Sequence, residues 1–275
     1  VTPRALPAVS NAPPEAPVAV LLSDQQIAFE AGKTTVYTET AMKVQNAQGL
    51  AAGNISIPWD PATQTVTVNK LHLRRGDRTI DVLAAGQTFT VIRRESNLEL
   101  AMLDGDLTAN IQPEGLQEGD IIQLAITIEH RDPVMKDRVE AVFASWNGVP
   151  VKTAHARVIW PLDLKLNLQT RGGITLPKTS TATGKNILEI SASDLEPLLP
   201  PKGAPARFAL GRYGEASSFE SWADVAQIFA PLYAAASTVS SAGTVNQEID
   251  RIRKETRDPK ERAEKALQLV QDRIR

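Results

Sequence analysis

The sequence predicts a mainly β protein: a large antiparallel β-sandwich, or two stacked sandwiches, followed by a short C-terminal α-helical segment. Three observations carry this. From residue 18 to about 210, apolar and polar residues alternate in short runs separated by turn residues, the period of half-buried strands. No segment of helical length and period interrupts those runs, which argues against a βαβ architecture. After Ser221 the period changes, and three stretches carry apolar residues at helical spacing behind N-terminal caps.

Taken in order, residues 1–17 hold five prolines: Pro3, Pro7, Pro13, Pro14 and Pro17. Such a stretch lacks the donors and the apolar periodicity to pair or pack, so it reads as a Pro-rich arm or linker. In the strand after it, Val36, Thr38, Thr40, Met42 and Val44 share one face. Thr35, Tyr37, Glu39 and Lys43 share the other. Gly49 and Pro58-Trp-Asp-Pro61 mark connections. Val66 and Val68 have the opposite parity to Leu71 and Leu73, so a β-bulge is expected near Asn69-Lys70. Arg75-Gly-Asp77 and Asp104-Gly105 have hairpin-turn chemistry.

Glu118-Gly-Asp120 leads into 121–128, the strongest strand, which places Ile122, Leu124, Ile126 and Ile128 together. Further strands are expected over 139–146, 156–160, 162–168 and 186–191. Leu162, Leu164, Leu166 and Leu168 alternate strictly with polar residues, giving one dry and one wet face, as in a sandwich. Prolines 197, 200, 201 and 205 place the domain boundary near 195–215. The expected organisation is an arm over 1–17, a β-domain over 18–205, and a junction with opening helices over 206–275.

Ser221 caps the first expected helix with Asp224 at its third position, and Trp222, Val225, Phe229 and Leu232 form its apolar face. Pro231 should kink or end it, and Trp222 reads as core packing. Thr244 with Gln247 starts a second helix, with Val245, Ile249 and Ile252 inward. Asp258-Pro259-Lys260-Glu261 starts a third: Asp as cap, Pro at the first helical position, Glu reaching back. Ala263, Ala266, Leu267, Val270 and Ile274 continue it at helical spacing. Pairs Asp250–Lys254 and Glu261–Lys265 would line a solvated outer face. No stop signal precedes Arg275, so the reading frame is expected to be cut there. The last helix should then pack on another copy, fold back on the β-domain, or fray.

Composition excludes several classes of function. A net charge of −2 from 30 basic and 32 acidic residues, evenly spread, argues against a nucleic-acid partner. No run reaches the length of a membrane helix; the longest near the start is Val18-Ala-Val-Leu-Leu22. The absence of Cys removes disulfides, thiolate metal sites and thiol catalysis, and suits an exported, periplasmic protein. Opening on Val1 rather than Met points to a preceding segment, of which a signal peptide is one kind.

No residue qualifies as a catalytic, cofactor-binding or metal site. His72, His130 and His155 lie far apart, without ligand spacing. Thr183-Gly-Lys185 lacks the first Gly of a phosphate loop (Thr179 stands there), and Asn186 replaces its hydroxyl residue, so it reads as a hairpin turn. Asp104-Gly-Asp106 lacks the other ligands of a calcium loop. Asn54-Ile-Ser56 fits a glycosylation sequon, and there is no G-x-S-x-G elbow.

Phe219-Glu-Ser-Trp-Ala-Asp-Val, a second helix, Thr256-Arg-Asp-Pro-Lys-Glu261 and then Leu267-Gln-Leu-Val-Gln-Asp-Arg-Ile-Arg275 resemble the entry to a transglutaminase-like core. Gly119-Asp-Ile-Ile-Gln123 and Glu129-His-Arg-Asp-Pro133 resemble the uncharacterised β-domain that precedes that core in bacterial proteins. The resemblance implies a parent protein whose Cys-His-Asp (or Asn) triad acts on amide bonds, with the Cys on a helix just after the last one here. It implies that this chain is a non-catalytic front portion whose β-domain positions a protein or glycan substrate or docks a partner. The alternative expectation is a binding or scaffold module with no enzymatic activity.

Overall fold

The computed structural model describes residues 1–7, 12–94, 103–198, 201–203, 205, 211–238 and 243–273. The chain divides into two compact units, Val1–Arg94 with Gly105–Glu220, and Glu95–Asp104 with Ser221–Arg275.

The first unit is mainly β, as expected. Its first strands are β1 (Val18–Glu30), β2 (Lys33–Val44), β3 (Ile55–Trp59), β4 (Gln64–Arg75), β5 (Arg78–Asp81), β6 (Thr90–Arg93) and β7 (Leu107–Ile111). The later ones are β8 (Ile121–His130), β9 (Glu140–Phe143), β10 (Val151–Pro161), β11 (Asn167–Arg171), β12 (Ser180–Ala182), β13 (Lys185–Leu195) and β14 (Tyr213–Ser217). An eight-stranded sheet has the order β12-β13-β10-β1-β2-β8-β4-β5, and two three-stranded sheets have the orders β3-β7-β6 and β11-β14-β9.

Residues paired across a ladder project to the same side of a sheet. Ile27 pairs with Val158 on β10 and Val36 on β2, and Val36 pairs with Ile128 on β8. That side carries two cores. Ile27, Phe29, Val158 and Leu188 pack with Phe143, Trp146 and Ala216, the last on β14. Leu71, Leu73 and Ile122 pack with Ile55, Ile57 and Ala109 of the other small sheet. Both small sheets therefore cover one face of the long sheet. The two sandwiches lie side by side and share it, rather than stacking. Burying each such aliphatic side chain contributes about 1.5–3 kcal/mol.

The antiparallel expectation needs one correction: β1 and β10 run parallel. A parallel neighbour requires a long crossover, and here everything from β2 to β9 supplies it. The bulge falls between Val68 and Lys70, as the parity change requires. A second, between Val20 and Leu22, lies in a run too uniformly apolar to show one. Gly32 closes the β1–β2 hairpin at φ +65°, and a Cβ there would sit 2.2 Å from the Lys136 carbonyl oxygen. Gly76 and Gly184, at φ 56° and 72°, serve the expected hairpins β4–β5 and β12–β13.

Two strands depart from expectation. Residues 162–168 do not form one strand: β10 ends at Pro161, and Leu164 N–H donates to the Pro161 carbonyl (3.3 Å) before β11 begins at Asn167. Here the alternation serves a crossing between sheets; Leu164, Leu166 and Leu168 pack on the core while Leu162 is exposed. The strand expected over 139–146 shortens to β9 because Ala144 takes a φ of 54°. Beyond the prolines where the boundary was expected, β14 returns as the central strand of its small sheet.

The second unit carries α1 (Trp222–Ala236), α2 (Thr244–Glu255) and α3 (Pro259–Arg273). Ser221 Oγ accepts from Asp224 N–H (3.2 Å), and Asp258 Oδ1 accepts from Lys260 N–H (3.0 Å), as the caps predict. α1 runs past Pro231 to Ala236. The α2 cap is Gly243, not Thr244, because the Gly243 carbonyl already accepts from Asn246 N–H (3.1 Å). Glu261 reaches the Thr256 hydroxyl (2.5 Å). Instead of the expected i,i+4 pairs, Asp250 meets Arg253 (3.7 Å), and Lys265 meets Glu255 across α2 and α3 (3.1 Å). Trp222 is 87% exposed, against the core packing expected of it, and α1 has no buried residue among those described. None of these helices is long and apolar enough to cross a membrane.

A Cβ added at Gly214 on β14 would lie 2.2 Å from the Phe143 ring. Because Phe143 is fully buried, Gly214→Ala should destabilise the first unit by about 1–3 kcal/mol in urea unfolding, without changing β content by circular dichroism.

Candidate functional site

The face of the long sheet opposite both cores is polar, and register arranges it in rows. One row runs Ser191, His155, Asp24, Glu39, Ala125 and Lys70 across β13, β10, β1, β2, β8 and β4. The rows beside it hold Arg157, Gln26 and Tyr37, and Leu22, Ala41, Gln123 and His72. Such a face is ordinarily wet. Here Asp24 is 0% exposed, Glu39 1% and His155 2%.

Two clusters account for that burial. Glu39 accepts from Lys70 Nζ (2.7 Å), Tyr37 Oη (2.6 Å) and the Gln123 side chain, whose oxygen accepts from Arg74 Nε (2.7 Å). Burial pushes the Glu39 carboxyl up, but the hydrogen bonds from Lys70, Tyr37 and Gln123 together outweigh it and hold the group below its ordinary value. Burial, then the bond to Glu39, pushes the Tyr37 phenol far above its usual range. At the sheet margin Arg75 grips Asp120 through Nε (2.8 Å) and Nη2 (2.7 Å), and this pairing holds that carboxyl low.

The second cluster is closed by the start of the chain. Asp24 Oδ1 lies 2.6 Å from His155 Nδ1, and Asp24 Oδ2 accepts from Gln26 Nε2 (2.8 Å). A carboxylate only accepts, so Nδ1 carries the hydrogen and Nε2 accepts from the Arg4 guanidinium. Gln26 also reads the main chain of Thr2, its Oε1 accepting from Thr2 N–H (2.9 Å) and its Nε2 donating to the Thr2 carbonyl (2.8 Å). Arg157 Nη1 donates to Thr2 Oγ1 (2.6 Å), and Leu6 packs on Leu21, Leu22 and Ala41.

A histidine held by a carboxylate is two-thirds of a nucleophilic triad, but Nε2 here faces a guanidinium, which has no nucleophilic atom. Among the described residues no cluster of three or more His, Cys, Asp or Glu is placed to hold a metal.

The three histidines stay apart. His72 pairs with Asp81 (3.5 Å), while His130 lines a cleft of about 420 Å³ with Glu140, Asn167, Gln169 and Glu215. Thr183-Gly184 is the β12–β13 turn. Asn54 and Ser56 line a shallow cleft of about 650 Å³ with Gln87, Thr90 and Asn110. Asp104-Gly105 precedes β7, but the connection from β6 that it would close contains 95–102, outside the described residues. What sequence reasoning missed is the arm: Thr2, Arg4 and Leu6 recur with period two between prolines, the signal of an extended segment with one side committed.

Residues 30–198 match the model of the DUF3857 family, described as a Domain of Unknown Function with solved-structure structure. No curated protein matches in sequence. Among solved structures, a protein of Parabacteroides distasonis ATCC 8503 described as a "putative protease" is similar over 87% of this chain, at 13% identity and a TM-score of 0.64. The chain spans 50% of that protein, and at this identity the likeness is one of fold. Native yeast LTA4 hydrolase is similar over 73% of this chain and 29% of its own, at 11% identity and a TM-score of 0.34, too slight to bear on function.

Glu39 supplies a pH test. Its folded-state value is lowered, so its stabilisation is complete above the unfolded carboxyl value of 4.5 and is lost as pH falls through the lower folded value. Glu39→Gln should cost about 1–3 kcal/mol at neutral pH. In urea unfolding the gap between wild type and variant should narrow below about pH 4, since the other carboxylates are common to both.

Proposed function

The chain belongs to the DUF3857 family, and we propose that it is the non-catalytic front portion of an exported, periplasmic transglutaminase-like protein, its β-unit docking a protein or glycan substrate or a partner. The observation that carries this reading is the second unit. Leu232, Tyr233, Val245, Leu267 and Val270 are exposed on α1, α2 and α3, and Ile252 is the one buried α-helical residue among those described. Apolar stripes at helical spacing are made to be covered. The sequence resemblance says by what: the remaining layers of a thiol acyl-transfer core, in which a Cys thiolate attacks a carboxamide or peptide carbonyl with His as base. The fold likeness to half of a protein described as a "putative protease" is compatible with a longer parent protein.

The polar face favours a second reading, a binding or scaffold module in a protein without enzymatic activity, because its histidine and carboxylates are all engaged in binding contacts. Both readings make the β-unit a binding element; they differ in whether a catalytic layer completes the helices.

The codons beyond Arg275 and the activity of the longer product separate them. A Cys opening a helix, with His and Asp downstream, and amide hydrolysis or transfer abolished by thiol alkylation are the expected results. A longer product without Cys would leave only the scaffold.

A stability comparison tests the covering layer directly. Leu267→Ala should change the stability of the 275-residue chain by no more than about 0.5 kcal/mol, and that of the longer protein by about 2–5 kcal/mol, read by chemical denaturation. Equal small effects in both would remove the layer.

A further inference from the structure

We propose that the open face of the long sheet is a binding site for an extended polypeptide segment with an arginine two residues after a small hydroxyl residue, and that residues 1–7 occupy it in cis. This deepens the docking role given to the β-unit and is independent of any thiol chemistry beyond Arg275.

The receptor groups belong to the sheet. Asp24 and Gln26 stand on β1, and His155 and Arg157 on β10, the two neighbouring inner strands joined by the parallel ladder. With the arm in place they are tied to the sheet, through Gln26 Nε2 to Asp24 (2.8 Å), Asp24 to His155 (2.6 Å) and the ion pair of Arg157 with Glu189 (3.1 Å). Sites built on rigid strands hold their geometry better than sites on loops.

What they read is an extended chain. The Gln26 amide takes both main-chain groups of one residue, the donor and the acceptor, which is how a neighbouring strand would be recognised. Arg157 then reads the hydroxyl, the His155–Asp24 pair the guanidinium, and Leu21, Leu22 and Ala41 an aliphatic side chain. Thr2, Arg4 and Leu6 fill these three subsites at a spacing of two residues, about 6.5–7 Å apart in an extended chain. In the second subsite Arg4 Nη2 meets His155 Nε2 and lies 3.7 Å from the Glu189 carboxylate, so the subsite takes a cation.

The occupant is lightly held. Pro3 and Pro7 withhold main-chain donors, and Leu6 is its one residue packed in the apolar socket. Segments with few buried apolar contacts open locally at low cost. A tethered segment competes with a free peptide as though present at roughly millimolar concentration, so weakening the tethered copy should uncover the site.

The test uses the full chain with Arg4→Ala, which keeps every receptor group, and fluorescence anisotropy with a labelled heptapeptide of residues 1–7. The variant should bind the peptide at least ten times more tightly than wild type, whose own arm competes. The same peptide with Gln in place of its Arg should bind at least ten times more weakly. Adding Gln26→Ala should weaken both. An unrelated peptide keeping the Thr-x-Arg-x-Leu pattern should bind within about fivefold of the arm peptide. A folded Arg4→Ala chain that binds no peptide, or binds the Arg and Gln forms equally, overturns the proposal. Binding of the arm sequence with rejection of the unrelated peptide also overturns it, reducing the contact to a clasp. None of these readouts involves amide chemistry, so the proposal and the reading of the parent protein fail separately.

Discussion

The structure depends on the period of two along β1. This strand is paired on both edges, antiparallel to β2 and parallel to β10, so neither of its faces can be exchanged for the other without slipping two ladders. Ile27 and Phe29 project into the core beneath the β11-β14-β9 sheet. Asp24 and Gln26, one residue out of phase, project to the opposite side. A single alternation thus commits the same strand to the apolar core on one face and to a buried polar cluster on the other.

That commitment explains why two small sheets are needed. An eight-stranded twisted sheet has more apolar face than one three-stranded partner can cover, and the chain supplies two covers from two places. β3, β6 and β7 leave the path between β2 and β8 and close the core around Leu71 and Ile122. β9, β11 and β14 arise around and after β10 and close the core around Val158 and Phe143. Both insertions land on the same side because register gives them only one apolar side to cover.

What was legible in the sequence was whatever the local chain decides. The bulge between Val68 and Lys70 appears as a change of parity, and the caps at Ser221 and Asp258 as spacing between an acceptor and a donor. Features decided by distant residues were not legible. Leu162 to Leu168 alternate as a strand would, yet Pro161 ends one sheet and the chain must cross to another, so Leu164 and Leu166 pack from irregular backbone and Leu168 from β11. Trp222 sits at apolar spacing on its helix and is exposed, because spacing states that a stripe exists and not that something lies against it. Asp24 and His155 are 131 residues apart, and their meeting follows only from the parallel ladder, which no hairpin signal announces.

The buried polar row on the open face is defined by how its charges are satisfied. Desolvating Asp24, His155 and Glu39 is costly, and apolar residues of similar size would hold a sheet face at least as well. Each charge is instead met by partners of matching type: Glu39 by an ammonium, a phenol and an amide, Asp24 by an imidazole and an amide. A reactive site keeps one group poised against a space that substrate will fill. The vacancy-free row does the opposite, since the remaining lone pair, Nε2 of His155, is taken by a cation brought in on an extended segment. A sheet that buries ionic groups and completes them with an extended segment has the logic of the proposed receptor, with specificity set by the bonds to Thr2 and Arg4 that the sheet cannot make for itself.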